Sequence, residues 1–493
     1  MWLRPIALLA VCISITLFGP CYCSATSPNR FHFTNNLPSL SPFLSATTSF
    51  LSTLFTPPPK NTKRLQLRNV YHQGTHSYRG LSARIDLTPD ESAHASELVE
   101  GKIRTRRIKT WKPKDITPYI QAHNAGDAFG VQKTSKAMDW DEIEVDAPDV
   151  EDRETLLTLA KMASKAYDVP KNGSDKDWIV DGMGKWNLSE SFGWVEDGIR
   201  GHIFATEDNS TIVVALKGTS AALLDDGATS KRDKENDNLF FSCCCAHVGW
   251  TWRTVCDCFN DGLAQQTCSS SCLTKALINK SFFYPATTDL FNNISYAYPD
   301  SQIWITGHSL GGALGALIGM TFGYPTVAFE APAERMAAMR LHVPLPVKKG
   351  RLDALPITHV YNTADAIAMG DCVGSTSLCA ISGFAMETRC HTGKTILYDT
   401  VGKLGWGQGI NAHRINIVIE DVLDEDWDKK VAKASAKAAT NTQTKFKSNK
   451  WHLPWHRNDG EDVGSKPEKL GSVPRLRDEN DCVDCADWKF TKD

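Results

Sequence analysis

The sequence predicts an α/β protein built on a mostly parallel, doubly wound sheet. Strand-like runs alternate with helix-like stretches through the middle of the chain, which is typical of parallel strands with helices on both faces. One run, residues 211–216, is almost wholly apolar, as expected for a strand buried on both sides. The 493 residues are 42% apolar, enough for a large core, and a net charge of −3 argues against nucleic-acid binding.

Regular patterning begins near Asp152. Apolar residues at helical spacing predict an amphipathic helix over residues 156–167, and strands are expected at 201–205 and 211–216. The pattern then predicts, in chain order, a helix at 273–298 that is interrupted near Pro285, a strand at 302–306, a small-residue helix at 310–323, strands at 325–329 and 357–361, and a helix at 415–423.

Composition divides the chain into five segments. Residues 1–24 carry a short apolar run behind one basic residue, Arg4, and predict a signal anchor or a cleaved signal peptide. Residues 25–64 are rich in Ser, Thr and Pro and predict a luminal stalk, followed by a separate N-terminal region at 65–150. The α/β domain is expected at 151–427, and residues 428–493 are expected to form a disordered, Lys-rich tail with a Cys-x-x-Cys motif near its end.

The sequence Gly-His-Ser-Leu-Gly occupies residues 307–311, between a predicted strand and a predicted helix. This is the setting of a nucleophile elbow, in which a strained strand-to-helix turn exposes a serine at the carboxyl edge of the sheet. Ser309 is therefore the candidate nucleophile, and the α/β-hydrolase fold is expected. The alternative is a glycine-rich helix entry whose serine has no role.

A serine nucleophile needs a basic histidine and an orienting carboxylate, which this fold supplies in the order Ser, Asp, His. Asp365 follows a predicted strand and would lie at the same edge as Ser309. Of the histidines downstream of it, His413 ends a glycine-rich loop and is the preferred base. The others are less suitable, because they fall beside a cysteine or in the tail: His391, His452 and His456.

The oxyanion hole of such an enzyme needs two backbone N–H groups. We assign them to Leu310, directly after the nucleophile, and to Thr219, at a turn that follows an early strand. A plain strand-ending turn is the alternative for Thr219. No metal ion or organic cofactor is expected for this chemistry.

Twelve of the fifteen cysteines form tight groups between Cys243 and Cys485, which favours disulfides over a zinc site, although spacing cannot give their pairing. Five sequons predict N-glycosylation at Asn172, Asn187, Asn209, Asn279 and Asn293. Aromatic residues within 225–272 predict either core packing or a lid that dips into a bilayer. The basic residues from Lys102 to Lys114 predict either a solvated strand or contact with anionic lipid headgroups.

Several motifs resemble class 3 lipases: Lys217-Gly218-Thr219, His247-Val248-Gly249, residues 305–312 and the context of Asp365. Others resemble, more narrowly, the fungal autophagy-related lipases: residues 71–75, 83–86 and 198–202, and the run Cys243-Cys244-Cys245. The resemblance extends from about residue 65 to 426.

The resemblance to that family implies that this chain hydrolyses acylglycerols and phospholipids, with Ser309, Asp365 and His413 as the catalytic triad. They also imply phosphoinositide binding, to which no residue can be assigned. A single-pass type II membrane glycoprotein is expected, which passes through the endoplasmic reticulum, Golgi and multivesicular body to the vacuole and lyses autophagic bodies there. The alternatives are a secreted esterase for soluble or cell-wall esters, and a membrane-binding module that retains the scaffold without activity.

Overall fold

The computed structural model describes residues 62–75, 80–92, 99, 101–168, 178–180, 184–186, 198–219, 230–248, 252–262, 265–346, 355–446, 471–479 and 482–491. All of them belong to one compact unit within residues 58–493. The segments predicted as anchor (1–24) and stalk (25–64) lie outside the described residues, apart from the last three positions of the stalk. Within the described ranges, no helix combines the length and the apolar character needed to cross a membrane.

The strands form one large and two small sheets. Their bounds are β1 Thr62–Lys63, β2 Gln66–Gln73, β3 Ser82–Asp86, β4 Ile103–Pro113, β5 Trp140–Pro148, β6 Trp178–Val180, β7 Gly184–Trp186, β8 Ile199–Ala205, β9 Thr211–Leu216, β10 Phe259–Gly262, β11 Gln265–Ser269, β12 Gln302–His308, β13 Thr326–Phe329, β14 Ile357–Asn362, β15 Lys394–Tyr398, β16 Arg477–Asp478 and β17 Lys489–Thr491.

The helices lie between these strands. Their bounds are α1 Thr117–Asn124, α2 Ala128–Lys136, α3 Arg153–Lys165, α4 Ser230–Phe241, α5 Ser270–Lys280, α6 Phe283–Ala297, α7 Leu310–Phe322, α8 Arg335–Arg340, α9 Leu378–Ile381, α10 Thr400–Leu404, α11 Ile415–Ile417 and α12 Trp427–Phe446. A 3-10 turn at Ile410–His413 and a π turn at Val418–Val422 flank α11.

The large sheet confirms the predicted α/β-hydrolase fold. Its order in the described residues is β16-β15-β14-β13-β12-β9-β8-β2-β3-β6-β7. The five strands from β15 to β9 run parallel, and antiparallel strands extend the sheet at both ends. The carboxyl ends of the parallel strands therefore share one edge, where ligands of open α/β sheets bind.

Strand β9 shows why the sheet needs helices on both faces. Its residues are all buried, and they alternate between two separate hydrophobic clusters. Ile212 and Val214 pack with α6 and α7 on one face, whereas Val213 and Ala215 pack with α3 and α12 on the other. An apolar residue at every position is what a strand covered on both sides requires.

The carboxyl-terminal region corrects the prediction of a disordered tail. Residues 427–446 form helix α12, and Trp427 packs edge-on against Tyr398. Residues 471–479 and 482–491 contribute strands β16 and β17, which extend the large sheet and a small one. The composition of this region did not reveal these elements, because its described residues are held by a few apolar and cysteine side chains and show no regular hydrophobic period.

Six disulfides confirm the prediction of disulfides rather than zinc. They join all twelve clustered cysteines: Cys243–Cys485, Cys244–Cys268, Cys245–Cys256, Cys258–Cys272, Cys372–Cys379 and Cys390–Cys482. Two of these bridges anchor the carboxyl-terminal residues to the rest of the fold.

The basic stretch becomes strand β4, which pairs along its length with the acidic strand β5. Ion pairs join the two sides, for example Arg107 to Asp146 and Lys109 to Glu142. These contacts favour the solvated-strand alternative for this segment. Phosphoinositide binding stays a prediction without assigned residues.

Candidate active site

Ser309 lies in the sharp turn between β12 and α7. Its backbone has φ 57° and ψ −132°, a left-handed conformation that costs a non-glycine residue free energy and is typical of functional sites. Gly307 and Gly311 approach each other so closely that a Cβ on Gly307 would collide with the Gly311 carbonyl group. The flanking glycines therefore permit the turn that presents the Ser309 hydroxyl at the carboxyl edge of the sheet.

The structure brings Ser309, His413 and Asp365 together in one hydrogen-bonded chain. The Nε2 atom of His413 lies 2.8 Å from the Ser309 hydroxyl oxygen, and its Nδ1 atom lies 2.7 Å from Oδ2 of Asp365. Because a carboxylate only accepts, a neutral His413 donates from Nδ1 and can accept the hydroxyl proton at Nε2. This is the arrangement that activates a serine nucleophile.

Two loops are held together so that Asp365 and His413 meet. Gly409 donates a backbone hydrogen bond of 2.8 Å to the Ala364 carbonyl oxygen, and the side-chain amide of Asn362 donates to the Ala412 carbonyl oxygen at 3.2 Å. The turn after β14 and the loop before α11 are therefore joined on both sides of the acid–base pair.

His308 holds the backbone of the base. Its Nε2 atom lies 2.6 Å from the His413 carbonyl oxygen, and its Nδ1 atom lies 2.7 Å from the Tyr167 hydroxyl oxygen. Since a carbonyl oxygen only accepts, Nε2 carries the proton and Nδ1 accepts from Tyr167. Burial, with the nearby ring of His413, lowers the pKa of His308 to about 3, so this ring stays neutral and keeps that tautomer.

Asp365 is fully buried, yet it is the ionised member of the site. Burial alone would raise the pKa of its carboxyl group, but the His413 ring, a hydrogen bond from Glu330 and the backbone N–H of Ile367 together hold that pKa below its ordinary value. Glu330, also buried, contacts it from the end of β13. Burial and the charge of Asp365 raise the pKa of Glu330 well above its ordinary value.

The predicted oxyanion donors lie on either side of Ser309. Leu310 begins α7, so its N–H has no partner within the helix and benefits from the positive end of the helix dipole. Gly218 approaches the elbow closely, since a Cβ there would lie 2.5 Å from the His308 carbonyl oxygen. Thr219 follows, and its hydroxyl donates to the buried Asp237 carboxyl group at 2.8 Å.

A cavity of about 410 Å³ opens directly above the serine. Ser309, His413 and Thr219 line it, together with apolar side chains that include Ile367, Phe384, Met386, Ile410 and Ile415. An apolar cavity with a few convergent polar groups is the usual form of a small-molecule site. Its apolar lining suits the acyl chain of an ester.

The other residues named from the sequence are distributed over the surface and core. Asn209 and Asn279 are exposed and Asn293 is half-buried, whereas Asn172, Asn187, His452 and His456 lie outside the described residues. His391 is buried away from Ser309, where its Nε2 atom lies 3.0 Å from the Ala331 carbonyl oxygen.

The prediction of an aromatic lid is wrong for residues 239–241. Phe240 and Phe241 are completely buried at the end of α4, and Leu239 is nearly so. These side chains belong to the core on the α6–α7 face of the sheet. The core-packing alternative therefore holds for them, and Trp250 lies outside the described residues.

Sequence reasoning missed four residues of the site: Tyr167, Asp237, Glu330 and Asn362. Only Glu330 gave a signal, as a lone acid directly after the apolar run of β13. The partners of the other three come from distant parts of the chain, so spacing along the sequence could not reveal them.

Comparison with known proteins places this site in a family. The profile of the family described as "Lipase (class 3)" matches residues 251–330, which include Ser309. A protein named "Putative lipase ATG15" from Mycosarcoma maydis is 50% identical over 450 residues, which cover 87% of this chain and 85% of that protein. The chain belongs to the ATG15 lipase family.

A second ATG15 relative, from Cryptococcus neoformans var. neoformans serotype D (strain B-3501A), is 44% identical over 372 residues, 71% of this chain and 70% of that protein. Membership of the ATG15 family confirms the resemblance found in the sequence.

Among solved structures, the Lip2 lipase from Yarrowia lipolytica is 17% identical and matches 41% of this chain and 61% of its own, with a TM-score of 0.20. A triacylglycerol lipase from Penicillium expansum is 16% identical and matches 48% of this chain and 76% of its own, with a TM-score of 0.22.

Proposed function

We propose that this chain is a serine hydrolase that cleaves the carboxylic esters of membrane phospholipids and triacylglycerols. The observation that carries the proposal is the hydrogen-bonded chain from Ser309 through His413 to the buried Asp365. Ser309, at the other end of this chain, lines an apolar cavity. The names of the ATG15 relatives agree with it.

In the proposed reaction, the Ser309 hydroxyl attacks the ester carbonyl carbon while Nε2 of His413 takes its proton. The buried Asp365 carboxylate then faces the imidazolium at 2.7 Å and stabilises it. The carbonyl oxygen becomes negative, and the N–H groups of Leu310 and Thr219 would bind it. The imidazolium returns its proton to the departing alcohol, which leaves an acyl-enzyme.

Water completes the cycle. His413 takes a proton from a water molecule that attacks the acyl-enzyme, and it then returns that proton to the Ser309 oxygen as the fatty acid leaves. In each half of the cycle, the new bond to the carbonyl carbon replaces the bond to the leaving oxygen, and His413 carries the proton from the attacking to the leaving oxygen.

Replacement of Ser309 by Ala tests the proposal. We expect the variant to keep its fold, measured by circular dichroism, and to lose ester hydrolysis and labelling by a fluorophosphonate probe. Unchanged turnover in this variant would refute the assignment of the nucleophile.

The rim of the cavity favours lipid over soluble esters. Cys379 of α9 lines the cavity, which places this short helix at the rim, and Leu378 and Ile381 of the same helix are 54% and 70% exposed. The disulfide Cys372–Cys379 closes the loop that precedes it. Residues 372–386 contain no charged side chain, and Phe384 and Met386 from the same segment line the cavity. Uncharged apolar side chains at the rim can enter a lipid surface at low cost.

Substitution of both rim residues by Ser distinguishes the two substrate classes. We expect hydrolysis of phosphatidylcholine vesicles to fall at least about tenfold, since each buried aliphatic side chain contributes about 1.5–3 kcal/mol. Hydrolysis of a short soluble ester should not change. Met339→Ser, at a 58% exposed position on α8, is the matched control. Equal losses on both substrates would favour the esterase alternative.

We also propose that the protein is a type II membrane glycoprotein of endosomes and multivesicular bodies that lyses autophagic bodies in the vacuole. The six disulfides and the exposed sequons at Asn209 and Asn279 are consistent with a luminal domain. Amino-terminal sequencing and a mobility shift after endoglycosidase treatment test the anchor and the glycans. Cells that carry only the Ser309→Ala variant should accumulate intact autophagic bodies.

The alternative of a non-catalytic membrane-binding module makes the opposite prediction. It requires wild-type protein that binds vesicles but neither reacts with the fluorophosphonate probe nor releases fatty acid.

A further inference from the structure

Glu330 and Asp365 form a buried carboxyl pair next to the proposed base. Glu330 is 1% exposed and Asp365 is completely buried, and a hydrogen bond joins their side chains. Glu330 has a backbone φ of 43°, a strained value for a residue other than glycine. Such a conformation persists only where the surroundings impose it, which is common at functional sites.

We propose that Glu330 is a positioning residue of this site, whose neutral carboxyl group donates a hydrogen bond to Asp365 and thereby extends ester hydrolysis into more acidic solution. This inference rests on the proposed function of Ser309.

The contacts of the pair show which carboxyl group carries the proton. The Oδ2 atom of Asp365 faces His413 and its Oδ1 atom accepts the Ile367 N–H at 2.8 Å, so both oxygens already have donors. The Oε1 atom of Glu330 accepts from the Asn362 amide at 2.9 Å. Two buried carboxylates in contact cannot both be charged, so the group that is not hydrogen-bonded to His413 keeps its proton.

Asn362 fixes the direction of this hydrogen bond. Its Oδ1 atom accepts from the Ala364 N–H and from the Thr400 hydroxyl, both at 3.0 Å. Its Nδ2 atom must therefore be the donor to Glu330 Oε1 and to the Ala412 carbonyl oxygen. The other oxygen, Oε2, is reached by the Asn362 backbone N–H only at the longer distance of 3.3 Å, so it is the oxygen that can carry the proton that Asp365 receives.

The titratable groups around the pair agree with this assignment. Glu330 faces Asp365 and the phenol of Tyr361, whose pKa is raised by burial, by Glu479 and by Glu330. Asp365 faces His413, and it also interacts electrostatically with the ring of His308, which burial keeps neutral. Burial of Glu330, with the charge of Asp365, raises the pKa of the glutamate.

The hydrogen bond from Glu330 weakens the pull of Asp365 on a proton. A carboxylate that accepts one more donor has its charge better stabilised, so the pKa of Asp365 is lower with Glu330 than without it. Asp365 therefore keeps the charge that orients His413 down to a lower pH than it would without Glu330. Loss of this donor should move the acidic limb of the activity profile to higher pH.

Two substitutions of the full-length protein test the inference on a soluble ester. Glu330→Gln keeps a donor for Asp365 and an acceptor for Asn362, so kcat/KM and its pH dependence should remain near those of wild type. Glu330→Leu removes both groups, and we expect the acidic limb to move upward by about 0.5–1 pH unit and kcat to fall roughly tenfold, with KM unchanged.

Glu387→Leu is the matched control. Glu387 is also mostly buried and accepts the Cys243 N–H at 2.6 Å, but it does not contact Ser309, Asp365 or His413. Its loss should lower stability without moving the pH profile. An unmoved acidic limb in Glu330→Leu would overturn the inference, as would the same upward shift in Glu330→Gln.

An infrared measurement tests the protonation of Glu330 directly and does not require the Glu330→Leu variant to fold. The infrared difference spectrum of wild type minus Glu330→Gln at neutral pH should contain the carbonyl band of a protonated carboxyl group, and its absence would contradict the proposal. Wild-type protein that hydrolyses no ester would instead refute the proposed function, so the two failures are distinguishable.

Discussion

At the residue scale, close packing against the strand-to-helix turn determines where the Ser309 hydroxyl points. A Cβ on Gly218 would collide with the Tyr167 hydroxyl and the His308 carbonyl oxygen, so the loop after β9 packs closely against the elbow. Only glycine, which has no Cβ, fits at this position. The same loop carries Thr219, and a shift of the loop would move a predicted oxyanion donor.

We therefore expect Gly218→Ala to lower kcat by about 10²-fold, comparable to the loss of one oxyanion donor. Gly407→Ala is the control, because no heavy atom lies within 4 Å of a Cβ at that position in the loop before His413. Steady-state kinetics on a soluble ester checks both. An active Gly218→Ala enzyme would show that this close contact does not position the site.

Asp365 gives a second prediction at this scale. In Asp365→Asn the side-chain amide can donate to Nδ1 of His413, which favours the tautomer that cannot accept the Ser309 proton. We expect kcat to fall by roughly 10⁴-fold with little change in fold. The control is Asp371→Asn, an exposed acid on the next turn that pairs with Arg389. A loss of similar size in both variants would contradict the role of Asp365.

How far these residues could be predicted depended on where their partners lie in the chain. Ser309, Asp365 and His413 follow strands or precede helices in a known order, so local pattern was enough to select them, and the structure places them within hydrogen-bonding distance. Glu330 and Tyr167 act through contacts between elements far apart in sequence. No local pattern marks such contacts.

At the scale of single elements, the carboxyl-terminal segment 471–491 is attached through a buried ion pair. The Glu479 carboxylate accepts from the Nδ1 and backbone N–H groups of His391, at 3.2 and 2.8 Å, and from the Tyr361 hydroxyl. Burial would raise the pKa of Glu479, but His391 and Tyr361 lower it to about 2. Burial would lower the pKa of His391, but Glu479 and Glu334 raise it above its ordinary value.

This pair makes stability depend on pH. The Glu479 carboxylate contributes fully to the free energy of unfolding above its ordinary pKa of 4.5, and this contribution is lost as the pH falls toward about 2. The His391 imidazolium contributes fully to the free energy of unfolding below its ordinary pKa of 6.5, and this contribution is lost as the pH rises through its raised pKa. Both contributions are present together between these two ordinary values.

We therefore expect Glu479→Gln to lower the melting temperature most near pH 5.5, by an amount equivalent to about 1–3 kcal/mol, and less once the pH has risen through the raised pKa of His391. Differential scanning calorimetry across this range measures the effect. Glu425→Gln, which removes a surface pair with Lys433, should change little at any pH. A deficit that is the same at all pH values would exclude the ion pair as its cause.

At the scale of the whole molecule, the disulfides differ in how much chain they close. Cys390–Cys482 spans 92 residues, whereas Cys372–Cys379 spans only 7. A crosslink stabilises mainly by restricting the unfolded chain, and the restriction grows with the length of the loop. The bridge to the carboxyl-terminal segment should therefore contribute more to global stability than the bridge at the cavity rim.

Removal of each bridge by paired Cys→Ala substitution tests this ranking. Chain-entropy estimates give losses of about 4.6 kcal/mol for Cys390–Cys482 and about 2.4 kcal/mol for Cys372–Cys379. Denaturant unfolding without reductant measures both. The opposite order would show that strain or local packing, rather than loop length, dominates these bridges.

The fold was predictable where the hydrophobic pattern is regular. The parallel strands β9, β12, β13 and β14 and helix α7 lie close to their predicted positions, because continuous burial leaves a strong apolar signal. The antiparallel extension through β2 and β3, and the ordered segment after residue 470, were not predicted. Their order depends on pairing with distant strands and on disulfides, neither of which leaves a local period.

The run Cys243-Cys244-Cys245 sends its three neighbouring thiols to Cys485, Cys268 and Cys256 in turn. Cys485 lies 242 residues after its partner Cys243, whereas Cys268 and Cys256 lie only 24 and 11 residues after theirs, so a ribosome delivers Cys485 long after the other two. Throughout that interval Cys243 is an unpaired neighbour of two sulfurs with which it must not exchange. A chain that stops before residue 482 would leave both Cys243 and Cys390 as free thiols, and a thiol-specific reagent would detect it.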